Sequence, residues 1–174
     1  MNDNGFVIYN KNVAFWGGIF SNFYPCSFYL KVNDKDTVKW KSSEQCFMAY
    51  KAYYFGDMDI YYKILQSDSP KEAKKLGRQV KNFNEESWSK VRYDIMSNIV
   101  YEKFLQNEEL MNFLLSDKFD NKGFIEGSPF DGVWGVKMDY RNPDIDNNEN
   151  WNGENLLGKV FNEIREKLKL WKKN

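Results

Sequence analysis

The chain contains no histidine. That absence excludes Ser-His and Cys-His nucleophile pairs and imidazole-bearing zinc sites, so acid–base chemistry falls to carboxylates, lysine, tyrosine or water. Cysteine is scarce as well: Cys26 and Cys46 are the 2 present, too few for a disulfide framework or a zinc ribbon, and both are expected as reduced, part-buried thiols. Charge of one sign is not in excess, since 25 Lys and Arg balance 25 Asp and Glu. The global attraction of a dedicated polyanion binder is therefore missing, and any bound anion must be met by a local patch. No run of about 18 apolar residues occurs, and the opening MNDNGFVIYN lacks the basic region and apolar stretch of a signal peptide. The expected compartment is cytoplasmic, with no membrane partner. Neither a metal nor a cofactor is called for.

What the chain does have is aromatic bulk. Of its 174 residues, 42% are hydrophobic and 18% aromatic, while mean hydropathy is −0.71. Large rings in the core and a charged surface follow, in a chain long enough to bury a core without disulfides or metal. With no internal repeat and no linker, residues 1–174 are expected to form a single domain.

Strand patterns occupy the first forty residues: GFVIYN, VAFWGG, and the pair SFYLKV and DTVKWKS flanking the polar NDKD as a hairpin. The pattern then turns helical. SSEQCFMAYKAYYFGD starts on Ser42 or Ser43 as cap and stops near Gly56. DSPKEAKKLG has Ser69 as cap, Pro70 at the first position, Glu72 completing a capping box and Gly77 at its end. An apolar stripe of Trp88, Val91, Ile95, Ile99 and Phe104 predicts a helix from Glu85 to Gln106, and Asn107 caps EELMNFLLS. The last helix, about Asn155 to Trp171, carries Leu156, Leu157, Val160, Phe161, Ile164, Leu168 and Trp171 on one side. The fold class is α+β, helix-rich and compact, with a small N-terminal β-hairpin or sheet.

Two motifs mislead. GENLLGKV has the glycine and lysine spacing of a phosphate loop, but Val160 stands where a Ser or Thr must bind Mg, and no strand precedes it. DIDNNENWNGEN offers alternating oxygen ligands from Asp144, yet Glu149 and Asn155 occupy the places of the EF-hand's Gly and final Glu.

Glu44 and Lys51 are seven residues apart, so in a helix they differ by roughly 20° around the axis and lie about 10 Å apart along it. They share a face and can converge on one small substrate, or be ordinary surface charges. In SPFDGVWG, Asp131 sits between Phe130 and Trp134. Either the two rings desolvate a proton-transferring carboxylate, or Asp131 forms a turn beside two core anchors. Asn22 in SNFYP reads a polar ligand edge or closes a turn. Among Lys71, Lys74, Lys75, Arg78 and Lys81, Arg78 follows a helix end, where guanidinium and backbone can meet a phosphate or carboxylate.

The segments FSNFYP, SSEQCFMAYKA, SPKEAKKLGRQVKNFNEESWSKVRYDIM, KFLQNEEL, GSPFDGVWGV and WNGENLLGKVFNEIREKL together resemble the NADAR or YbiA-like N-glycosidases, in order and in spacing. The resemblance implies a YbiA-like fold and the splitting of an N-ribosidic bond, either in phosphoribosylamino-pyrimidine intermediates of riboflavin synthesis or in guanine-linked ADP-ribose. The implied substrate is a small nucleotide or an ADP-ribosylated nucleic acid. It places the family's functional Glu, Lys, Trp and Asp on Glu44, Lys51, Trp88 and Asp131. Asn22, Phe23, Arg78, Trp88, Trp134 and Asn155, all inside the matching segments, make up the expected substrate-binding set. Gln45 and Met48 depart from the family's His and Gln and are expected to bear on substrate choice.

Breaking such a bond needs a carboxylate near the sugar and a proton source near the base. Glu44 is expected to stabilise the sugar cation or activate water. Lys51, if its pKa is lowered among Phe47, Tyr50 and Tyr54, can attack C1′ and form a Schiff base. Trp88 or Trp134 is expected to stack on the base, and Arg78 to hold the phosphate. The alternative is a non-catalytic protein that senses ADP-ribose or a related NAD-derived nucleotide.

Overall fold

The computed structural model describes residues 4–33 and 35–174. Two strands open it, β1 (Phe6–Ile8) and β2 (Asn12–Phe15), paired antiparallel with Phe6 opposite Phe15. A second hairpin follows, β3 (Phe28–Lys31) and β4 (Thr37–Trp40), in the register Phe28 to Trp40. In its NDKD loop Asn33 accepts the N–H groups of Lys35 and Asp36, an Asx turn, while Asp34 lies outside the described residues.

Helix α1 (Ser43–Tyr54) begins where the sequence places it: Ser42 is the cap, its hydroxyl accepting from the Gln45 N–H. Gly56 ends it in the left-handed region at φ 73°, a conformation open to glycine at little cost. Helix α2 (Met58–Leu65) comes next, capped by Asp57, whose carboxylate accepts from Ile60 N–H. The sequence pattern passed over α2, although Ile60, Tyr61 and Ile64 recur at helical spacing and are buried.

Helix α3 (Pro70–Gly77) has Ser69 as its cap, and Glu72 reaches back to the Asp68 N–H. Gly77 is not a left-handed cap. A Cβ there would overlap the Met48 sulfur, so this glycine lets α3 approach α1 closely. The long stripe from Glu85 becomes two helices, α4 (Glu85–Ser89) and α5 (Arg92–Leu105). Between them Val91 N–H bonds Trp88 O at 3.1 Å, a tighter turn that interrupts the helix.

Helix α6 (Glu108–Leu114) leads to strand β5 (Gly123–Glu126), and α7 (Leu156–Lys173) closes the chain. Strand β5 lies parallel to β2, giving the order β1-β2-β5. Its apolar pair Phe124-Ile125 is too short to show a period in sequence.

The contacts divide the chain into two units, one of Met1–Ser21 with Glu108–Asn174 and one of Asn22–Asn107. The first is built on rings: Phe20 meets Phe15, Phe124 and Phe161 at 5.3 to 5.5 Å. Arg165 is buried there, donating to Leu114 O and pairing with Asp120 at 2.7 Å. In the second, α1 packs against α2, α3 and α5, and Ala49 and Ala52 are fully buried. No helix among the described residues is long and apolar enough to cross a membrane.

Candidate active site

Glu44, Lys51, Asn22, Phe23, Arg78 and Trp88 fall in the 22–107 unit, while Asp131, Trp134 and Asn155 fall in the other. Helix α1 is continuous from Glu44 to Lys51, so the shared face expected from their spacing is present. Glu44 is 5% exposed, and its N–H donates to Asn22 O at 2.9 Å, binding the SNFYP turn to the start of α1. Beside it, Asn22 Oδ1 and Ser43 Oγ are buried with no hydrogen-bond partner. A buried polar atom left so costs about 1–3 kcal/mol.

Lys51 is half-buried. Its Nζ donates to Gly77 O at 3.0 Å and lies 4.1 Å from the centroid of the Phe83 ring. Burial lowers its pKa below the ordinary lysine value; Glu85 and Glu44 oppose the shift and Arg78 adds to it. The apolar setting was expected from Phe47, Tyr50 and Tyr54, but the ring at the amine is Phe83, which the sequence reading passed over. Tyr50 is engaged elsewhere: its hydroxyl donates to Lys31 O at 2.7 Å, and burial pushes its pKa to about 12. Phe47 packs on Trp88 with centroids 5.2 Å apart.

Trp88 does not offer a stacking face. It is 5% exposed, with Tyr54 at 5.8 Å and Phe55 at 6.1 Å closing in beside Phe47. Its place at the head of the stripe gave no hint of which ring face is open. Arg78 is exposed at the end of α3, close enough to Lys51 to act on its charge. Phe23 carries the Lys74 amine 5.4 Å from its ring, so the SNFYP turn meets the basic helix.

Gln45 and Met48, expected to bear on substrate choice, both make packing contacts within this unit. The Gln45 amide nitrogen donates to Ile64 O at 3.1 Å and its oxygen accepts from Lys41 N–H, which fastens the end of α2 to α1. Met48 fills the space that Gly77 leaves open.

In the other unit, Asp131 Oδ1 accepts from Val133 N–H and Trp134 N–H at 2.9 and 2.8 Å, and Ser128 Oγ accepts from the Asp131 N–H. The expected pair of enclosing rings is not formed, because Phe130 is 81% exposed. Trp134 is half-buried. Asn155 is buried, and its amide is spent on Glu126 N–H and Phe124 O, linking β5 to α7. This use accounts for the residue without a substrate.

One further group escaped the sequence. Lys103, on α5, is fully buried beneath Tyr24 and Phe104, with its amine 5.4 and 5.2 Å from their rings. Burial lowers its pKa to about 8, against an opposing effect of Cys26. The signal was its position four residues after Ile99, on the buried side of the stripe.

Residues 9–169 match the NADAR domain. The chain belongs to the NADAR family. Among its relatives, N-glycosidase R617 of Acanthamoeba polyphaga mimivirus is 40% identical over 157 residues, which cover 90% of this chain and 91% of the viral protein. The riboflavin biosynthesis protein VVA0006 of Vibrio vulnificus is 31% identical over 151 residues, covering 87% of this chain and 35% of that longer protein. The NMR structure of the Escherichia coli protein YbiA aligns at TM-score 0.70 and 27% identity, covering 97% of this chain and 90% of that one. The helix-rich α+β fold expected of a NADAR protein is therefore the one observed.

Proposed function

We propose that this NADAR protein hydrolyses the N-ribosidic bond of a nucleotide-derived substrate, either a guanine-linked ADP-ribose or a phosphoribosylamino-pyrimidine of riboflavin synthesis. As relatives named N-glycosidases indicate, the chain is a hydrolase acting on N-glycosyl bonds. The observation that carries the residue assignment is a half-buried lysine of lowered pKa on the same helix face as a buried glutamate.

The chemistry follows from that pair. As the bond from C1′ to the base breaks, positive charge grows on C1′ and the ring oxygen, and the Glu44 carboxylate offsets it. The neutral Lys51 amine forms a bond to C1′, the base leaves with the bonding electrons and takes the proton that Nζ sheds on bonding, and the sugar ring opens to a Schiff base on Nζ. Water activated by Glu44 then adds to C1′ and releases the sugar, returning the free amine. Asn22 Oδ1 and Ser43 Oγ accept sugar hydroxyls. Arg78 holds a phosphate by bidentate hydrogen bonds.

Borohydride added during turnover of ADP-ribosylated guanosine tests the lysine role. A stable sugar adduct is expected on the peptide that contains Lys51. Turnover with no adduct there limits Lys51 to an electrostatic role.

A further inference from the structure

A nucleotide substrate carries at least one flat base, and a flat base is gripped by an aromatic ring with an open face. The ring that the sequence offered, Trp88, is enclosed by Phe47, Tyr54 and Phe55. In the unit that holds Asp131, a pair of rings stands in solvent instead. Phe130 is 81% exposed and Trp16 43%, with centroids 6.1 Å apart and planes inclined at 59°. A ring as exposed as Phe130 has neither face covered. Among the described residues, no amine and no third ring lies against either one.

The sheet places the two rings together. Strands β2 and β5 run parallel to the pair Phe15 and Glu126, and Gly127 N–H carries the ladder on to Phe15 O at 2.8 Å, so both leave the sheet at one edge. The carboxyl ends of parallel strands are a common place for ligands. Trp16 is the first residue past β2, and Phe130 follows β5 by a short turn. Both backbones are fixed. Trp16 N–H donates to Gly5 O at 2.9 Å, and Gly18, at φ 57°, leaves no room for a side chain against Asn4 O. Ser128 Oγ accepts from Phe130 N–H at 3.3 Å and from Asp131 N–H at 3.2 Å. Asp131 spends Oδ1 on its own loop, which leaves Oδ2 with no partner among the described residues and able to accept an N–H or O–H of a ligand. Two rings bracketed by Gly17, Gly18 and Gly132 offer far less than the about 800 Å² per partner that a stable protein interface buries.

We infer that Trp16 and Phe130 form a platform on which a nucleobase of the substrate stacks, in the loops that also carry Asp131. The inference rests on the substrate being a nucleotide, as under the proposed function, and not on the chemistry of Lys51. Phe130 has no packing to hold it at its present tilt, and exposed side chains change rotamer rapidly. It turns to close on a base that lies against Trp16. Stacking tolerates either purine or pyrimidine, so both substrate classes fit the same rings.

Calorimetry measures equilibrium binding to the full-length parent, to Phe130→Leu and Trp16→Leu, and to the ring-retaining Phe130→Trp and Trp16→Phe. The probes are ADP-ribose, guanosine 5′-phosphate and cytidine 5′-phosphate, with ribose 5-phosphate as a base-free control. Leucine keeps apolar bulk but removes the ring, so each Leu variant is expected to weaken at least one base-bearing probe about tenfold, with ribose 5-phosphate unchanged and the ring-retaining variants close to the parent. Weakening confined to ADP-ribose assigns the platform to its adenine, and weakening of either monophosphate assigns it to the base that departs. Phe130→Leu decides the matter if Trp16→Leu does not fold, because a side chain so exposed contributes little to the core. Unaltered binding of all three base-bearing probes in Phe130→Leu, equal weakening of ribose 5-phosphate, or no binding of any base-bearing probe to the parent overturns the inference. ADP-ribosylated guanosine and a phosphoribosylamino-pyrimidine both left intact by the parent would count against the hydrolase reading alone, since the binding comparison needs no turnover.

Discussion

Lys51 sits among three charges of known sign, which makes its titration a sharp probe. Burial lowers its pKa, Arg78 lowers it further, and Glu85 and Glu44 raise it. In the proposed mechanism the neutral amine reacts, so kcat/KM is expected to rise with pH through an apparent value below that of an ordinary lysine. Removing a positive neighbour raises the pKa: Arg78→Ala should move this limb to higher pH, and Glu85→Gln to lower pH, both read from the rate–pH profile. Asp131 calls for a different substitution. One of its oxygens holds two backbone amides of its own loop, and the oxygen of Asn can replace it. Asp131→Asn should therefore keep the fold and the melting temperature while losing turnover at least tenfold, if the carboxylate takes part as the family resemblance implies. Unchanged turnover would reduce Asp131 to a turn former.

Helix α5 buries a whole lysine, and this has a thermodynamic signature. The Lys103 pKa is about 8 when folded, against the ordinary 10.5. Between those values the unfolded chain binds more protons than the folded one, so this residue's contribution to stability rises as pH rises from about 8 to 10.5. The gain is of order 3 kcal/mol across the window. Lys103→Met is expected to be more stable than the parent at pH 7 and to lack the rise, as measured by urea unfolding of both proteins at several pH values. A parallel pH dependence in the two would show that Lys103 does not titrate with folding. The elements also set what the sequence could reveal. Helices α1, α3 and α7 were legible because their caps or long apolar faces are local signals. Strand β5 was not, since four residues give too few repeats to establish a period.

At the scale of the whole chain, six sequence segments in register were enough to indicate the family and its α+β fold, because order and spacing carry more information than any one motif. The positions of Glu44 and Lys51 on one face were legible from the helical repeat alone. The identity of the ring beside the amine was not. Trp88 looked like the stacking residue, and whether its faces are open is decided by three rings up to 41 positions away in sequence from it. The roles of Gln45, Met48 and Asn155 were hidden for a related reason: each is spent on a partner in another element. The most direct test of the account is the free base released from ADP-ribosylated guanosine and from a phosphoribosylamino-pyrimidine, whichever is cleaved, by the parent protein and by Glu44→Gln, compared at equal melting temperature. The account predicts release by the parent and a loss of at least a hundredfold in the variant; equal rates from two equally folded proteins would contradict it.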